Sequence, residues 1–91
     1  MWYVYIVQCA DRTLYTGIAK DLDARLAQHN AGCGAKYTRA RRPVQLVYSE
    51  QAKGRGLAQQ REFVIKRMQT AAKHRLIATA TRGHCANRDG L

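Results

Sequence analysis

The sequence predicts a small α/β sandwich or α+β domain with the element order β-β-α-β-α-α. Three observations predict it. Three short runs rich in aromatic and β-branched residues read as strands, and the stretches between and after them carry helical spacing. The chain has 91 residues, room for one small domain. No internal repeat and no Pro- or Gly-rich linker divides it.

Trp2 to Cys9 (WYVYIVQC) opens the chain, and its near-continuous apolar character predicts a strand covered on both faces. Ala10-Asp11-Arg12 is a polar break, and Thr13 to Ile18 (TLYTGI) is a second strand, so the first two runs form a hairpin. Asp21 is placed to cap a helix running to about Asn30, with Leu22 and Leu26 as its apolar stripe. Gly32 and Gly34 end that helix and open a basic loop, which Pro43 closes. Val44 to Ser49 (VQLVYS) is the third strand. After Gly54 and Gly56, Leu57, Val64, Ile65 and Met68 recur at helical spacing. Thr70 starts a last helix that Leu76 and Ile77 pack back on the domain. From Ala80 the apolar period stops. The expected division is a domain over residues 1–79 and a flexible C-terminal tail over residues 80–91.

Composition excludes several classes. Sixteen Lys and Arg against six Asp and Glu give a formal charge of +10, yet 46% of residues are hydrophobic, too many for a disordered basic tail. No stretch approaches the roughly 20 apolar residues of a membrane span, and the first residues do not read as a signal peptide. Cys9, Cys33 and Cys85 are odd in number and far apart, which argues against a disulfide framework and a structural zinc site. A reducing, cytoplasmic setting is expected. The charge predicts an anionic partner, of which nucleic acid is the commonest, and no membrane partner is expected.

Arg25 and His29 are four apart and share a face of the first helix. At 100° per residue each lies about 60° from a leucine of the apolar stripe, at its border. A half-buried guanidinium beside an imidazole suits phosphate binding, and a solvated helix face is the plainer reading. Glu62 is the only acid between Glu50 and Asp89 and stands among Arg55, Arg61, Lys66 and Arg67. It suits either an i,i+4 ion pair with Lys66 or a lone carboxylate for a divalent metal. Tyr3, Tyr5 and Tyr15 crowd the hairpin, where aromatic residues are ordinarily core or cross-strand pairs. A three-residue loop puts Tyr5 opposite Gly17 and Val7 opposite Tyr15, with both tyrosines on one face, whereas a two-residue loop sends them to opposite faces. The run from Lys36 to Arg42 holds Lys36, Arg39, Arg41 and Arg42 without an acid. It reads as a nucleic-acid contact loop in which Tyr37 stacks on a base.

Tyr3-Val4-Tyr5, followed ten residues later by Tyr15-Thr16-Gly17, resembles the paired signature of the GIY-YIG endonuclease domain, with Tyr3 where the family usually has Gly. Arg25 and His29 in the first helix and Glu62 in the later helix match the family's catalytic Arg, frequent His and metal-binding Glu. The stretch Gly32-Cys33-Gly34-Ala35-Lys36-Tyr37-Thr38-Arg39 through Arg42-Pro43 is similar to its small stand-alone bacterial branch. The resemblance covers residues 2–78. No Asn stands between Glu62 and Ala86 to match one that supports the site in several members.

The resemblance implies a three-stranded antiparallel sheet flanked by helices and a metal-dependent endonuclease that hydrolyses phosphodiester bonds, in DNA before RNA. Glu62 then holds one Mg²⁺ or Mn²⁺, Arg25 stabilises phosphoryl charge, Tyr5 and Tyr15 together position and deprotonate the attacking water, and His29 supports them. Lys36, Tyr37, Arg39, Arg41 and Arg42 track the nucleic acid. Poor specificity, weak activity and targeting by a protein partner are the open alternatives for such a domain. The rival readings are a non-catalytic nucleic-acid-binding module of the same fold and an RNA-directed nuclease. A pure binder has no use for Glu62, which repels phosphate without a metal.

Overall fold

The apolar run at the start of the chain becomes the central strand of the sheet, which is why both of its faces are apolar. The computed structural model describes residues 1–89, with side chains through Thr79. It runs β1 (Trp2–Gln8), β2 (Leu14–Ala19), α1 (Leu22–Asn30), α2 (Lys36–Arg39), β3 (Gln45–Ala52), α3 (Arg55–Lys66) and α4 (Thr70–Asp89). The sheet order is β2-β1-β3, and both pairings are antiparallel. The expected order of strands and helices is found, with the one-turn α2 added inside the basic run that reads as loop in sequence.

Alternation along β1 sorts its side chains into two cores. Val4 and Ile6 point to one face, packed with Tyr48, Ala58 and Ile65 under α3 and α4. Tyr5 and Val7 point to the other, packed with Leu22 and Leu26 of α1 and Leu46 of β3. Val4, Ile6 and Ile65 are fully buried, each contributing about 1.5–3 kcal/mol of apolar burial. The pairing of β1 with β3 skips Val47, so a bulge separates Tyr48 from Leu46 and sends them to opposite cores.

The hairpin loop has three residues. Cys9 N donates to Thr13 O at 2.8 Å, and Arg12 takes a left-handed φ of 70°. This register pairs Tyr5 with Gly17 and Val7 with Tyr15, the alternative that puts both tyrosines on the α1 face.

Helix α1 begins as expected, with the Asp21 side chain accepting from Ala24 N at 3.1 Å. It ends in a Schellman motif: Cys33 N donates to Gln28 O at 2.9 Å, Gly32 N to His29 O at 3.2 Å, and Gly32 holds a φ of 84°. The Asn30 side chain clamps the entry to β3 by accepting from Val44 N at 2.7 Å and donating to Val44 O at 3.2 Å.

Helix α3 corrects the sequence reading. Leu57 and Val64 are 53% and 48% exposed, whereas Ala58 and Ile65 are buried. The stripe facing the sheet runs Ala58, Glu62, Ile65, at spacings of four and three, with Met68 beyond the helix end. An alanine and a glutamate made it hard to see as apolar. Arg61 pins the helix to β3 through Glu50 at 2.9 Å, and Glu50 also accepts from the Tyr48 hydroxyl. Burial and that carboxylate push the Tyr48 pKa up to about 12.

Helix α4 continues through Asp89, over most of the segment read as a tail. No proline interrupts residues 70–89, so a backbone helix needs no apolar period to persist there. Residues 90 and 91 lie outside the described residues. Among the described residues no helix is long and apolar enough to cross a membrane.

Candidate active site

The three-residue hairpin loop brings Tyr5 and Tyr15 to the face that α1 covers, and α1 carries Arg25 and His29 to the same place. The Tyr5 hydroxyl is 2.8 Å from His29 Nε2 and 3.4 Å from Arg25 Nε. The Tyr5 ring lies over Gly17, where a Cβ would stand 2.5 Å from the hydroxyl and 2.7 Å from Cζ. Glycine is therefore required here by the close approach of the tyrosine, not by backbone conformation.

His29 is more deeply placed than its position at the stripe border predicts. It is fully buried, because the segment after α1 folds back over the ring. Gly34 makes this closure possible, since a Cβ there would meet His29 Cα at 2.9 Å and collide with Nδ1. On the far side, His29 Nδ1 lies 2.8 Å from the Thr38 hydroxyl, which donates to Ala35 O at 2.9 Å. A continuous hydrogen-bonded row thus runs from Tyr5 through His29 and Thr38 to the backbone of α2. Burial, and then the Arg25 charge, push the His29 pKa down, so the ring is neutral. Burial raises the Tyr5 pKa, while the adjacent Arg25 guanidinium opposes the rise.

Tyr15 differs from Tyr5. Its ring meets the His29 ring edge-on at 5.5 Å and stacks on Tyr37 at 6.0 Å. It is half-buried, and among the described residues its hydroxyl has no hydrogen-bond partner. Arg25 is held from one side by Gln28, 3.1 Å from Nη1, which leaves the other side of the guanidinium for an anion.

Glu62, on the sheet-facing stripe of α3, is only 21% exposed and pairs with Lys66 Nζ at 3.3 Å. The i,i+4 ion pair read from sequence is thus present. Lys66 Nζ also stands 5.8 Å from the centre of the Tyr15 ring, so Lys66 links Glu62 to Tyr15. Glu62 offers one carboxylate, whose Oε2 already faces a cation. Among the described residues no group of three or more His, Cys, Asp and Glu gathers to hold a metal ion. Such a site fits Mg²⁺ or Mn²⁺ that keeps most of its shell as water and phosphate, and does not fit a metal held by protein ligands alone.

The basic run divides in two. Lys36 and Arg39 are exposed on α2, with no ion pair among the described residues. Arg41 is tied into the fold. It pairs with Asp11 of the hairpin loop at 3.0 Å, donates to Tyr37 O at 2.8 Å and covers the Tyr37 ring at 4.0 Å. Arg42 donates to Arg39 O at 2.9 Å and to Asn30 O at 3.4 Å, satisfying carbonyls at the ends of α2 and α1. Tyr37 is exposed but already has Arg41 over its ring at 4.0 Å and stacks with Tyr15 at 6.0 Å, so protein groups share the ring surface that a base would use. One residue of this neighbourhood carries no role of its own in the sequence reading, Thr38, and the contact of Gly34 with His29 is likewise absent from it. Thr38 gives no signal in one sequence, because only the fold shows that its hydroxyl is buried against a histidine.

A family model described as the GIY-YIG catalytic domain matches residues 1–75. A UPF0213 protein from Desulfotalea psychrophila is 48% identical over 86 residues, covering 93% of this chain and 78% of that one. A UPF0213 protein from Natronomonas pharaonis is 51% identical over 79 residues, covering 87% of this chain and 93% of that one. The solution NMR structure of a UPF0213 protein from Bacillus halodurans is 38% identical, covers 87% of this chain and 85% of its own, and superposes with a TM-score of 0.56. Nuclease chemistry on nucleic acid is what such a domain implies. The chain belongs to the GIY-YIG catalytic domain family.

Proposed function

We propose that the protein is a metal-dependent endonuclease that hydrolyses phosphodiester bonds, with DNA as its substrate and the cytoplasm of a bacterium as its setting. One observation carries the reading: a tyrosine hydroxyl hydrogen-bonded to a buried neutral histidine, with an arginine on the same oxygen. A core tyrosine needs one partner for its hydroxyl. This one has a proton acceptor and a phosphate-binding cation together.

Water attacks phosphorus, and its proton passes to the Tyr5 oxygen as the Tyr5 proton passes to His29 Nε2. Tyr15, with its free hydroxyl on the open side, orients that water. Arg25 meets the charge that grows on the phosphoryl oxygens as the bond to the leaving oxygen breaks. Glu62 holds Mg²⁺ or Mn²⁺, which when bound lends Lewis-acid stabilisation to the scissile phosphate. Lys36 and Arg39 guide the backbone, Arg41 and Arg42 contribute longer-range field, and Tyr37 lines the approach beside Tyr15.

The ion pair between Glu62 and Lys66 favours a second reading, a binding module in which the Glu62 carboxylate is neutralised from within. Glu62→Gln separates the two. The nuclease reading expects cleavage to vanish while salt-dependent binding of labelled DNA survives. Cleavage equal to wild type, or lost binding in a folded variant, overturns it.

A further inference from the structure

Both ring nitrogens of His29 are engaged at 2.8 Å, Nε2 by the Tyr5 hydroxyl and Nδ1 by the Thr38 hydroxyl. A neutral imidazole has one N–H and one bare nitrogen, and these two distances fit either arrangement. The Thr38 hydroxyl breaks the tie. It lies 2.9 Å from Ala35 O, an atom that can only accept. A hydroxyl has one proton. Were that proton turned to His29, two oxygens would face each other, lone pair to lone pair, in a site where Thr38 is fully buried. The carbonyl is itself fixed, because it also accepts from Thr38 N at 3.1 Å and Arg39 N at 3.2 Å as the cap of α2. The Thr38 proton therefore goes to Ala35, and Thr38 offers His29 only lone pairs.

We propose that Thr38 is a positioning residue of the active site, holding His29 in the Nδ1–H tautomer and leaving Nε2 bare to receive the Tyr5 proton. The opposite tautomer would donate to the Tyr5 oxygen and block that transfer. After the transfer the imidazolium keeps its Nδ1–H bond to Thr38, so no group has to move. The catalytic meaning of this device rests on the nuclease reading above, whereas the tautomer does not.

The test is a long-range proton–nitrogen correlation spectrum of ¹⁵N-histidine-labelled protein at about pH 8, where ordinary histidines are neutral. The His29 signals are those missing from His29→Gln. Wild type is expected to show a single tautomer with Nδ1 protonated and Nε2 bare. Thr38→Ser keeps the hydroxyl and should keep that pattern. Thr38→Val removes the acceptor and should give mixed or Nε2–H signals. Cleavage should fall about 10-fold or more in Thr38→Val and return in Thr38→Ser. Nε2 protonated in wild type, or the wild-type pattern retained in Thr38→Val, overturns the proposal. Should Thr38→Val not fold, the wild-type and Thr38→Ser spectra decide it, since either one lacking the Nδ1–H pattern is contrary. Failure of the nuclease reading looks different: no variant cuts, while the tautomer pattern stands.

Discussion

Gly17→Ala is the sharpest perturbation of the site that leaves every functional group in place. Gly17 lies in β2 opposite Tyr5, and its backbone is not in the left-handed region. On backbone grounds the change should therefore stabilise by about 0.4–1 kcal/mol, through a less flexible unfolded chain. The side chain decides otherwise. The new Cβ would stand 2.5 Å from the Tyr5 hydroxyl and 2.7 Å from Cζ, where unstrained contacts are about 3.5–4.0 Å. The ring must retreat by about 1 Å. Tyr5 is 2% exposed and held at 2.8 Å by His29, so it cannot move without stretching that hydrogen bond. Overpacking of this kind costs about 1–3 kcal/mol, which exceeds the backbone gain. The expected net loss is about 1–2 kcal/mol. That corresponds to a fall in Tm of about 4–8 °C per kcal/mol for a domain of this size. Gly56→Ala is the control: it sits in the first turn of α3 with nothing within 4 Å and should gain a few tenths of a kcal/mol. Thermal unfolding of both variants beside wild type makes the comparison, and cleavage should be lost in Gly17→Ala alone. A Gly17→Ala protein as stable as Gly56→Ala, or one that cuts normally, refutes the reasoning.

Thr16→Val should raise stability by about 1 kcal/mol, because the buried Thr16 hydroxyl has no partner among the described residues; an unchanged or lower melting temperature contradicts this. Acid should destabilise the fold through His29. Its folded pKa is lowered, so between that value and the ordinary 6.5 the unfolded chain binds the extra proton. Stability from this group is full above about 6.5 and is lost as pH falls towards the folded value. Denaturant melts of wild type and His29→Gln over that range check it, and equal slopes would sink the assignment. The basic run should also divide by role. Lys36→Ala and Arg39→Ala should each lower the salt slope of duplex binding by about 0.9, whereas Arg41→Ala should change it less, because Asp11 already compensates that charge. Equal slopes for all three variants would contradict the division.

Much of the fold was legible because its determinants are local. The apolar run of β1, the Asp21 cap and the glycines closing α1 each act within a few residues of themselves. The parity of Tyr5 and Tyr15 was not legible, since it depends on a hairpin loop closed by Arg12 in a left-handed conformation that Gly or Asn more often marks. The buried stripe of α3 was misread because Ala58 and Glu62 carry it while Leu57 and Val64 face out. Family resemblance brought forward Tyr5, Tyr15, Arg25, His29 and Glu62, whose own spacing favoured plainer readings. The fold gathers Tyr5, Tyr15, Arg25 and His29, and Lys66 links Glu62 to Tyr15. Thr38 and Gly34 were out of reach, because their roles exist only once the chain folds back over His29. Charge counting also overstated Arg41 and Arg42, whose guanidinium groups fasten loops and helix ends.

The most direct measurement is cleavage of end-labelled single-stranded, duplex and branched DNA, and of RNA, by the wild-type protein beside Tyr5→Phe. Each reaction is run with Mg²⁺, with Mn²⁺ and with chelator. Metal-dependent cutting of a DNA substrate by wild type, abolished by chelator and by removal of the single Tyr5 hydroxyl, is the predicted result. Cutting that survives in Tyr5→Phe, or binding without cutting under every condition, contradicts the account.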